Sequence, residues 1–141
     1  MEKMTLAEYR RFLLDQPRTA KLATVRQDGR PHVTPIWFDL DGDTLVFTTW
    51  FESVKATNIR REPRVCLCVD DETPPYAFVQ IEGTAEVIPE ADNLLEWTTR
   101  IAGRYMGPEL AEEFGRRNSV EGEWLVRVTP TKIIAQKKIA D

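Results

Sequence analysis

Histidine and cysteine, the side chains most often used for metal binding, are scarce in this chain. Its 141 residues include one histidine, His32, and two cysteines, Cys66 and Cys68. A zinc site of ordinary ligand spacing needs more of these side chains, so the sequence argues against one. The two cysteines lie two positions apart in a predicted strand, which is poor geometry for a mutual disulfide. We expect them to pack as small buried or half-buried hydrophobic side chains.

Long apolar runs and an excess of positive charge are also absent. No run approaches the roughly 20 apolar residues that span a bilayer, and the first residues lack the apolar core of a signal peptide. The formal net charge is −4, which is unfavourable for binding nucleic acid. We therefore expect a cytoplasmic protein whose partners include neither a membrane nor a nucleic acid. The length predicts one domain, residues 1–141, whose core needs no disulfide or metal.

Strands dominate the predicted secondary structure. Period-two alternation and turn residues predict strands over Thr19–Val25, His32–Leu40, Thr44–Thr49, Arg64–Asp70, Tyr76–Val87, Glu123–Thr129 and Thr131–Lys137. Helical spacing, capping residues and prolines predict helices over Thr5–Asp15, Ser53–Arg61, Pro89–Tyr105 and Pro108–Arg117. Tight turns separate the first three strands, and no helix lies between them. We predict a mainly β fold, an antiparallel and closed or partly closed barrel with flanking helices.

The segment from Thr48 onward carries the clearest functional signal. A strand ends in the hydroxyl residues Thr48 and Thr49, and a helix is predicted to begin at Ser53 with Lys55 in its first turn. The first N–H groups of a helix are unpaired and partly positive, so together with hydroxyl donors and an ammonium group they favour phosphate. Three further candidates follow along the helix: Asn58, Arg60 and Arg61. The structural alternative, a routine Ser53 cap beside solvated basic side chains, fits the residues equally well.

The second predicted strand contains prolines, which is unusual. Pro35 cannot donate a ladder hydrogen bond, so the strand is expected at an edge, at a bulge or beside a ligand. An open backbone there can bind the polar edge of a flat heterocycle, with His32 and Thr34 on one face. For His32 alone, an ordinary surface position is the simpler interpretation. Aromatic residues nearby form either a wall for a planar ring or the barrel core with a dimer seam: Trp37, Phe38, Phe47, Trp50 and Phe51.

No nucleophile, carboxylate pair or metal cluster stands out in the sequence. A nucleotide P-loop is excluded, because G-x-x-x-x-G-K-[ST] does not occur. An anion site and an aromatic wall without an evident catalytic side chain are typical of a protein whose cofactor performs the chemistry.

These features occur in an order that resembles a known superfamily. Between Ala20 and Val87 the chain reads L-A-T-V-x-x-D-G-R-P-H-V-T-P-I-W-F, then D-G-D-T-L-V-F-T-T, S-V-K-A-T-N-I-R-R-E-P-R-V and F-V-Q-I-E-G-T-A-E-V. It resembles the pyridoxamine 5′-phosphate oxidase-like superfamily with its FMN-binding split barrel. It is most similar to the short flavin- and deazaflavin-dependent oxidoreductases, many of which use coenzyme F420. The chain is shorter than true pyridoxamine phosphate oxidases and lacks their C-terminal substrate-phosphate signature.

The resemblance implies a fold, an assembly and a set of binding residues. The implied fold is a six-stranded antiparallel split β-barrel, and the implied assembly is a homodimer with the cofactor between protomers. The strand-end hydroxyls and the S-x-K-x-x-N segment would hold the cofactor phosphate, with candidates Thr48, Thr49, Ser53, Lys55 and Asn58. The ring would lie along the second strand, with candidates His32, Val33, Thr34 and Pro35. Two arginines would contact the phosphate or the acidic tail of a deazaflavin: Arg60 and Arg61.

The resemblance also implies an activity, the transfer of a hydride between the cofactor and an electron-poor small-molecule substrate. Coenzyme F420 is preferred over FMN because the chain is short and carries Glu62-Pro63-Arg64, a segment like one found in deazaflavin-dependent relatives. Two alternatives stay open. One is a carrier or sensor that binds a flavin or deazaflavin without turnover. The other, with less support, is a haem-handling split barrel that uses His32.

Overall fold

Eight strands and four helices make up the computed structural model, which describes residues 1–141. The strands are β1 (Glu2–Lys3), β2 (Ala20–Val25), β3 (Pro31–Ile36), β4 (Asp39–Asp41), β5 (Thr44–Trp50), β6 (Arg64–Asp71), β7 (Ala77–Ile88) and β8 (Glu123–Lys137). The helices are α1 (Leu6–Leu14), α2 (Val54–Arg61), α3 (Leu94–Met106) and α4 (Ala111–Arg117). All strands join one antiparallel sheet in the order β3-β2-β6-β7-β8-β5-β4, with β1 paired to the end of β8. The prediction of a mainly β, antiparallel fold with flanking helices is confirmed.

The predicted second strand, 32–40, is in fact two strands at opposite ends of the sheet. β3 pairs with β2, whereas β4 pairs with β5. Trp37 and Phe38 alone connect them, so the chain passes from one end of the sheet to the other within two residues. The sheet must therefore roll until its two ends lie side by side, although no ladder joins them. The expected count of six strands is not confirmed, since the structure has eight strands in a sheet that does not close.

The hydrophobic core fills the inside of this rolled sheet. Alternate residues of the strands point inward, as in β6, where Val65, Leu67 and Val69 are buried. Two phenylalanines, Phe38 at the crossing and Phe47 on β5, are fully buried among them. Each such side chain contributes about 1.5–3 kcal/mol to folding relative to an exposed one. The core therefore holds the two ends of the sheet together without ladder hydrogen bonds.

The first two helices begin where their capping residues predict. The Thr5 hydroxyl accepts from the Glu8 backbone N–H at 3.2 Å, and the Glu8 carboxylate accepts from the Thr5 N–H at 3.1 Å. This reciprocal pair is a capping box at the start of α1. Ser53 caps α2 in the same manner, through the N–H of Ala56. None of the four helices is long and apolar enough to cross a membrane.

The hairpin between β2 and β3 determines which backbone groups of β3 remain open. The N–H of Gly29 donates to the Arg26 carbonyl and the N–H of Arg26 to the Arg30 carbonyl, both at 2.9 Å, which closes a three-residue loop. Antiparallel pairs alternate between bonded and non-bonded positions. The continuous register of β2 and β3 therefore turns the N–H groups of His32 and Thr34 toward β2 and that of Val33 toward the open side.

The start of β4 is held by the last turn of α3. The Tyr105 hydroxyl accepts from the Phe38 N–H at 3.2 Å and donates to the Arg18 carbonyl at 2.8 Å. The Arg104 guanidinium donates to the carbonyls of Phe38 and Leu13. Trp37 stacks on the Tyr105 ring with centroids 5.0 Å apart. Two neighbouring residues of α3 thus bind the crossing segment and the α1–β2 connection at once.

The last strand is continuous, although the sequence predicted a division at Pro130. β8 pairs with β7 along most of its length, and the register shifts at Gly83, which lies opposite Pro130. Thr131 is left over as the extra residue of a bulge, and its hydroxyl donates to the Glu82 carbonyl at 3.1 Å. Proline is tolerated here because β5 pairs only with residues 123–128 and β1 only with 136–137.

We expect Gly83→Ala to destabilise the protein. A Cβ at this position would lie 2.7 Å from both the Thr129 carbonyl oxygen and the Val128 side chain. The resulting strain costs about 1–3 kcal/mol, measurable as a lower urea midpoint followed by circular dichroism. Gly103→Ala on α3 is the control, since its Cβ would meet only Ala111 at an ordinary 3.4 Å and alanine favours a helix. Equal stability of the Gly83 variant and the wild type would contradict this account of the bulge.

Candidate functional site

A cavity of about 360 Å³ opens where the two ends of the sheet separate. Its lining residues come from β3 and the crossing segment, β5, the start of α2, α3, the residue after α4, and the start of β8: Pro35, Ile36, Trp37, Thr48, Thr49, Trp50, Ser53, Lys55, Thr98, Ile101, Asn118 and Glu123. Five of the residues predicted from the sequence meet here: Pro35, Thr48, Thr49, Ser53 and Lys55. The roll of the sheet thus brings together two segments that the sequence analysis treated separately.

The hydroxyl groups at the end of β5 are already part of a local hydrogen-bond chain. The hydroxyls of Thr49 and Ser53 lie 2.8 Å apart, and the Ser53 hydroxyl accepts from the N–H of Ala56 at 3.2 Å. Thr49 is buried, whereas Thr48 is half-buried. Ser53 therefore serves as the cap of α2 and as a wall of the cavity. The backbone N–H groups of Val54 and Lys55, the first two of the helix, have no backbone acceptor.

Lys55 places a half-buried positive charge in the cavity. It forms no salt bridge with any carboxylate of the chain. Burial lowers the pKa of this ammonium group, and the more distant Glu123 carboxylate opposes that shift. An ammonium group that is partly desolvated and lacks a direct partner is free to bind an anion.

Glu123 is the one charged residue of the cavity that the sequence analysis missed; Ile36, Thr98, Ile101 and Asn118 were also not among the candidates. It is the first residue of β8 and lies opposite Trp50 on β5. Burial raises the pKa of its carboxyl group, while the Thr48 hydroxyl and the Lys55 ammonium act in the opposite direction. The sequence carries only a weak signal for a functional role of Glu123, namely a single charged residue before the apolar run W-L-V. Only the pairing of β5 with β8, which is remote in sequence, brings it beside the predicted phosphate segment.

Three candidates of the second strand lie on β3 just before the cavity. Val33 points outward and is 63% exposed, while His32 and Thr34 are half-buried on the opposite face. The Nδ1 atom of His32 and the hydroxyl oxygen of Thr34 are buried without a hydrogen-bond partner. Such atoms are costly unless a water molecule or a ligand satisfies them. Of the four ring candidates, only Pro35 lines the cavity itself.

The three remaining candidates lie away from the cavity, each with a contact of its own. Asn58 is buried and donates to the Thr24 hydroxyl at 3.0 Å, which ties α2 to β2. Arg60 stacks over the Trp124 ring at 5.1 Å. Arg61 donates to the carbonyl of Val25. The cavity lies at the N-terminal end of α2, so residues one to two turns later lie about 5–10 Å further along the helix axis and reach other surfaces.

The predicted aromatic group divides into core and rim. Phe38 and Phe47 are core residues, as the structural alternative predicted. Trp37 lines the cavity and stacks on Tyr105. Trp50 and Phe51 stay 43% and 40% exposed at the rim. They pack over Gly122. Its φ of +98°, and the 2.7 Å that would separate an added Cβ from the Trp50 ring, exclude a side chain there.

The chain belongs to the pyridoxamine 5′-phosphate oxidase family, whose pattern it matches over residues 5–137. A pyridoxine/pyridoxamine 5′-phosphate oxidase from Allorhizobium ampelinum is 30% identical over 103 residues, which are 72% of this chain and 50% of that protein. The chain thus spans about half the length of the curated relatives that it matches. The superfamily suspected from the motifs is confirmed, and it is one of flavin-related oxidoreductases.

Two solved structures resemble the chain over most of its length. A conserved hypothetical protein from Mycobacterium tuberculosis has a TM-score of 0.83 at 29% identity and covers 98% of this chain and 89% of its own. An F420 reductase has a TM-score of 0.69 at 30% identity, with 87% of this chain and 94% of that one covered. Both likenesses support the split-barrel architecture.

We expect Asn58→Ala to lower stability without altering the cavity. The substitution removes the amide that binds the buried Thr24 hydroxyl, which leaves that hydroxyl unpaired at a cost of about 1–3 kcal/mol. Chemical denaturation measures the loss. Thr57→Ala, at the exposed neighbouring position of the same helix, is the control and should change stability little. An Asn58 variant as stable as this control would contradict the structural role.

We expect the pKa of the Glu123 carboxyl group to lie above that of an ordinary glutamate. Lys55→Met should raise this pKa further, because it removes the opposing positive charge. Carbon-13 NMR of the side-chain carboxyl against pH measures both values. The folded state holds this proton more tightly than the unfolded chain does. The contribution of Glu123 to the free energy of unfolding is therefore fully present at pH values below the pKa of this residue in the unfolded chain. It is lost as pH rises through the folded pKa. No difference between the wild type and Lys55→Met would show that the two groups do not interact.

Proposed function

We propose that this protein is an oxidoreductase that binds coenzyme F420, or less favourably FMN, and transfers a hydride between this cofactor and an electron-poor small molecule such as an enone or a quinone. One observation carries the proposal. The half-buried Lys55 ammonium, without a salt bridge, shares a cavity with strand-end hydroxyls and the start of a helix. In a family of flavin-related oxidoreductases, the phosphate of the cofactor is the anion that this group suits.

The residues of the cavity fit a phosphorylated ring cofactor in three respects. Its volume of about 360 Å³ lies within the range of small-molecule sites. Lys55 and the unpaired N–H groups at the start of α2 supply the charge and donors that a phosphate needs. The unsatisfied polar atoms of His32 and Thr34 lie on the adjoining strand, next to where a heterocycle with polar edges would extend.

The residues of the cavity and of β3 then have distinct roles in binding. Lys55 neutralises phosphate charge, and Thr48 adds a hydroxyl donor beside it. Thr49 and Ser53 hold the helix start in position through their mutual hydrogen bond. The open N–H of Val33 and the carbonyl groups along the same edge of β3 orient the ring. The bound deazaflavin or flavin supplies the hydride chemistry itself.

The proposed assembly is a homodimer whose second copy completes the cavity wall. β3 ends the sheet, exposes Val33 and runs directly into the cavity. A second protomer that covers this edge would bury its apolar surface and exclude water from the reacting ring. The cofactor would then lie between the protomers.

The preference for coenzyme F420 has two supports. The chain is 30% identical to a solved F420 reductase that it covers almost completely, whereas it spans only half of the curated pyridoxine/pyridoxamine phosphate oxidases. It also carries the Glu62-Pro63-Arg64 segment. A carrier or sensor without turnover remains the alternative to an enzyme, and cofactor binding with no hydride transfer to any acceptor tested would establish it.

We expect Lys55→Met to weaken binding of coenzyme F420 and of FMN by about tenfold or more, because it removes a charge-assisted contact with the phosphate. Fluorescence titration of each cofactor separately measures the affinity and also decides between them. The same variant should stabilise the ligand-free protein slightly, since it removes a partly desolvated charge.

The matched control is Lys132→Met, which removes an exposed lysine of β8 remote from the cavity. It should change neither the affinity nor the stability. Equal cofactor affinity in both variants would remove Lys55 from the site. A haem absorbance band in place of flavin or deazaflavin binding would overturn the proposed cofactor class.

A further inference from the structure

The cavity contains two charged side chains of opposite sign. Lys55 enters from α2 and Glu123 from β8, and every other lining residue from β3, β5, α3 and position 118 is uncharged. The cavity is therefore close to neutral before any ligand binds. A phosphate that binds to Lys55 must also be placed in the field of the Glu123 carboxylate.

The surroundings do not offset this carboxylate. Glu123 also lines a neighbouring cavity of about 570 Å³, together with Glu90 and Glu121, and no basic residue lines that second cavity. The Arg60 guanidinium lies over the ring of the adjacent Trp124, but Arg60 lines neither cavity. The local charge on the β8 side is thus negative, apart from Lys55 itself.

Phosphate groups differ in how much charge they bring into such a cavity. A phosphomonoester carries about −1.5 to −2 charges at pH 7, with a second pKa near 6. A phosphodiester has one ionisable oxygen fewer and carries a single negative charge. One ammonium group balances a monoanion, but with a dianion the second negative charge is left facing Glu123. A partly buried carboxylate repels that extra charge more strongly than one in open water.

From this arrangement we propose that Glu123 makes the site selective for a phosphodiester over a phosphomonoester. The inference rests on the proposed function, because it concerns the phosphate of the same bound cofactor. It also extends that function: a diester-linked deazaflavin, such as coenzyme F420, satisfies the charge of the cavity better than FMN. Glu123 is a specificity-determining residue here, and it takes no part in the hydride transfer.

The test uses two ligands with the same ring, FMN and its phosphate monomethyl ester, which differ by one charge at the phosphate. At pH 8 the wild type should bind the methyl ester about tenfold more tightly than FMN, the effect expected of one unit charge in a partly buried cavity. Glu123→Gln should reduce this ratio to near one, chiefly by binding FMN more tightly. Flavin fluorescence quenching gives all four dissociation constants.

The control variant is Glu121→Gln, which makes the same change of charge at an exposed position two residues away. It should leave the wild-type ratio intact. A second measurement needs no variant: near pH 5.5 FMN becomes largely a monoanion, so the wild-type ratio should shrink there. Equal affinities for the two ligands in the wild type at pH 8, or the same ratio in Glu123→Gln as in the wild type, would overturn the inference.

Riboflavin, which lacks the phosphate, shows whether a negative result concerns only the role of Glu123 or also the proposed function. If Lys55→Met weakens both phosphorylated ligands while the wild type does not discriminate between them, the phosphate site stands and only the role of Glu123 is wrong. If riboflavin binds the wild type as tightly as FMN and its methyl ester do, the cavity holds no phosphate. Both proposals then fail, and the same is true if neither these three ligands nor coenzyme F420 binds.

Discussion

The passage of the chain from β3 to β4 is the constraint on which the structure depends. Two residues, Trp37 and Phe38, span the distance between the two ends of the sheet, so the sheet has no freedom to stay flat. Burial of Phe38, stacking of Trp37 on Tyr105 and the donors of Arg104 hold this passage in place. Because the ends approach each other without pairing, a cavity opens between them instead of a ladder.

Local signals in the sequence were sufficient for most elements of the fold. The Thr5 and Ser53 caps, the hairpin before Arg30 and the alternation of β6 all depend on residues close in sequence, and all are as predicted. The errors have non-local causes. The alternation of apolar and polar residues indicates a single strand over 32–40. The pairing partner changes from β2 to β5 within this segment, and that change does not alter the alternation. Pro130 likewise resembles a strand break until the bulge opposite Gly83 is known.

The same distinction applies to the candidate site. The motif from Thr48 to Lys55 is contiguous, and the structure does gather those residues around one cavity. Asn58, Arg60 and Arg61 share the motif but contact other surfaces, since each helical turn carries the chain about 5 Å further along the axis, away from the cavity. Glu123 could not be predicted as a site residue, because it lies far from this motif along the chain. Only the pairing of β5 with β8 brings it to the cavity.

The prolines of β3 have a consequence for the behaviour of the protein in concentrated solution. In the register of the hairpin, Pro31 and Pro35 occupy the two positions whose N–H groups would otherwise point away from the sheet. The terminal strand therefore offers one outward amide donor, that of Val33, between three outward carbonyl groups. A foreign strand cannot form a regular ladder on such an edge. A protomer whose β3 edge is not yet covered by a partner is thus a poor template for the addition of foreign strands.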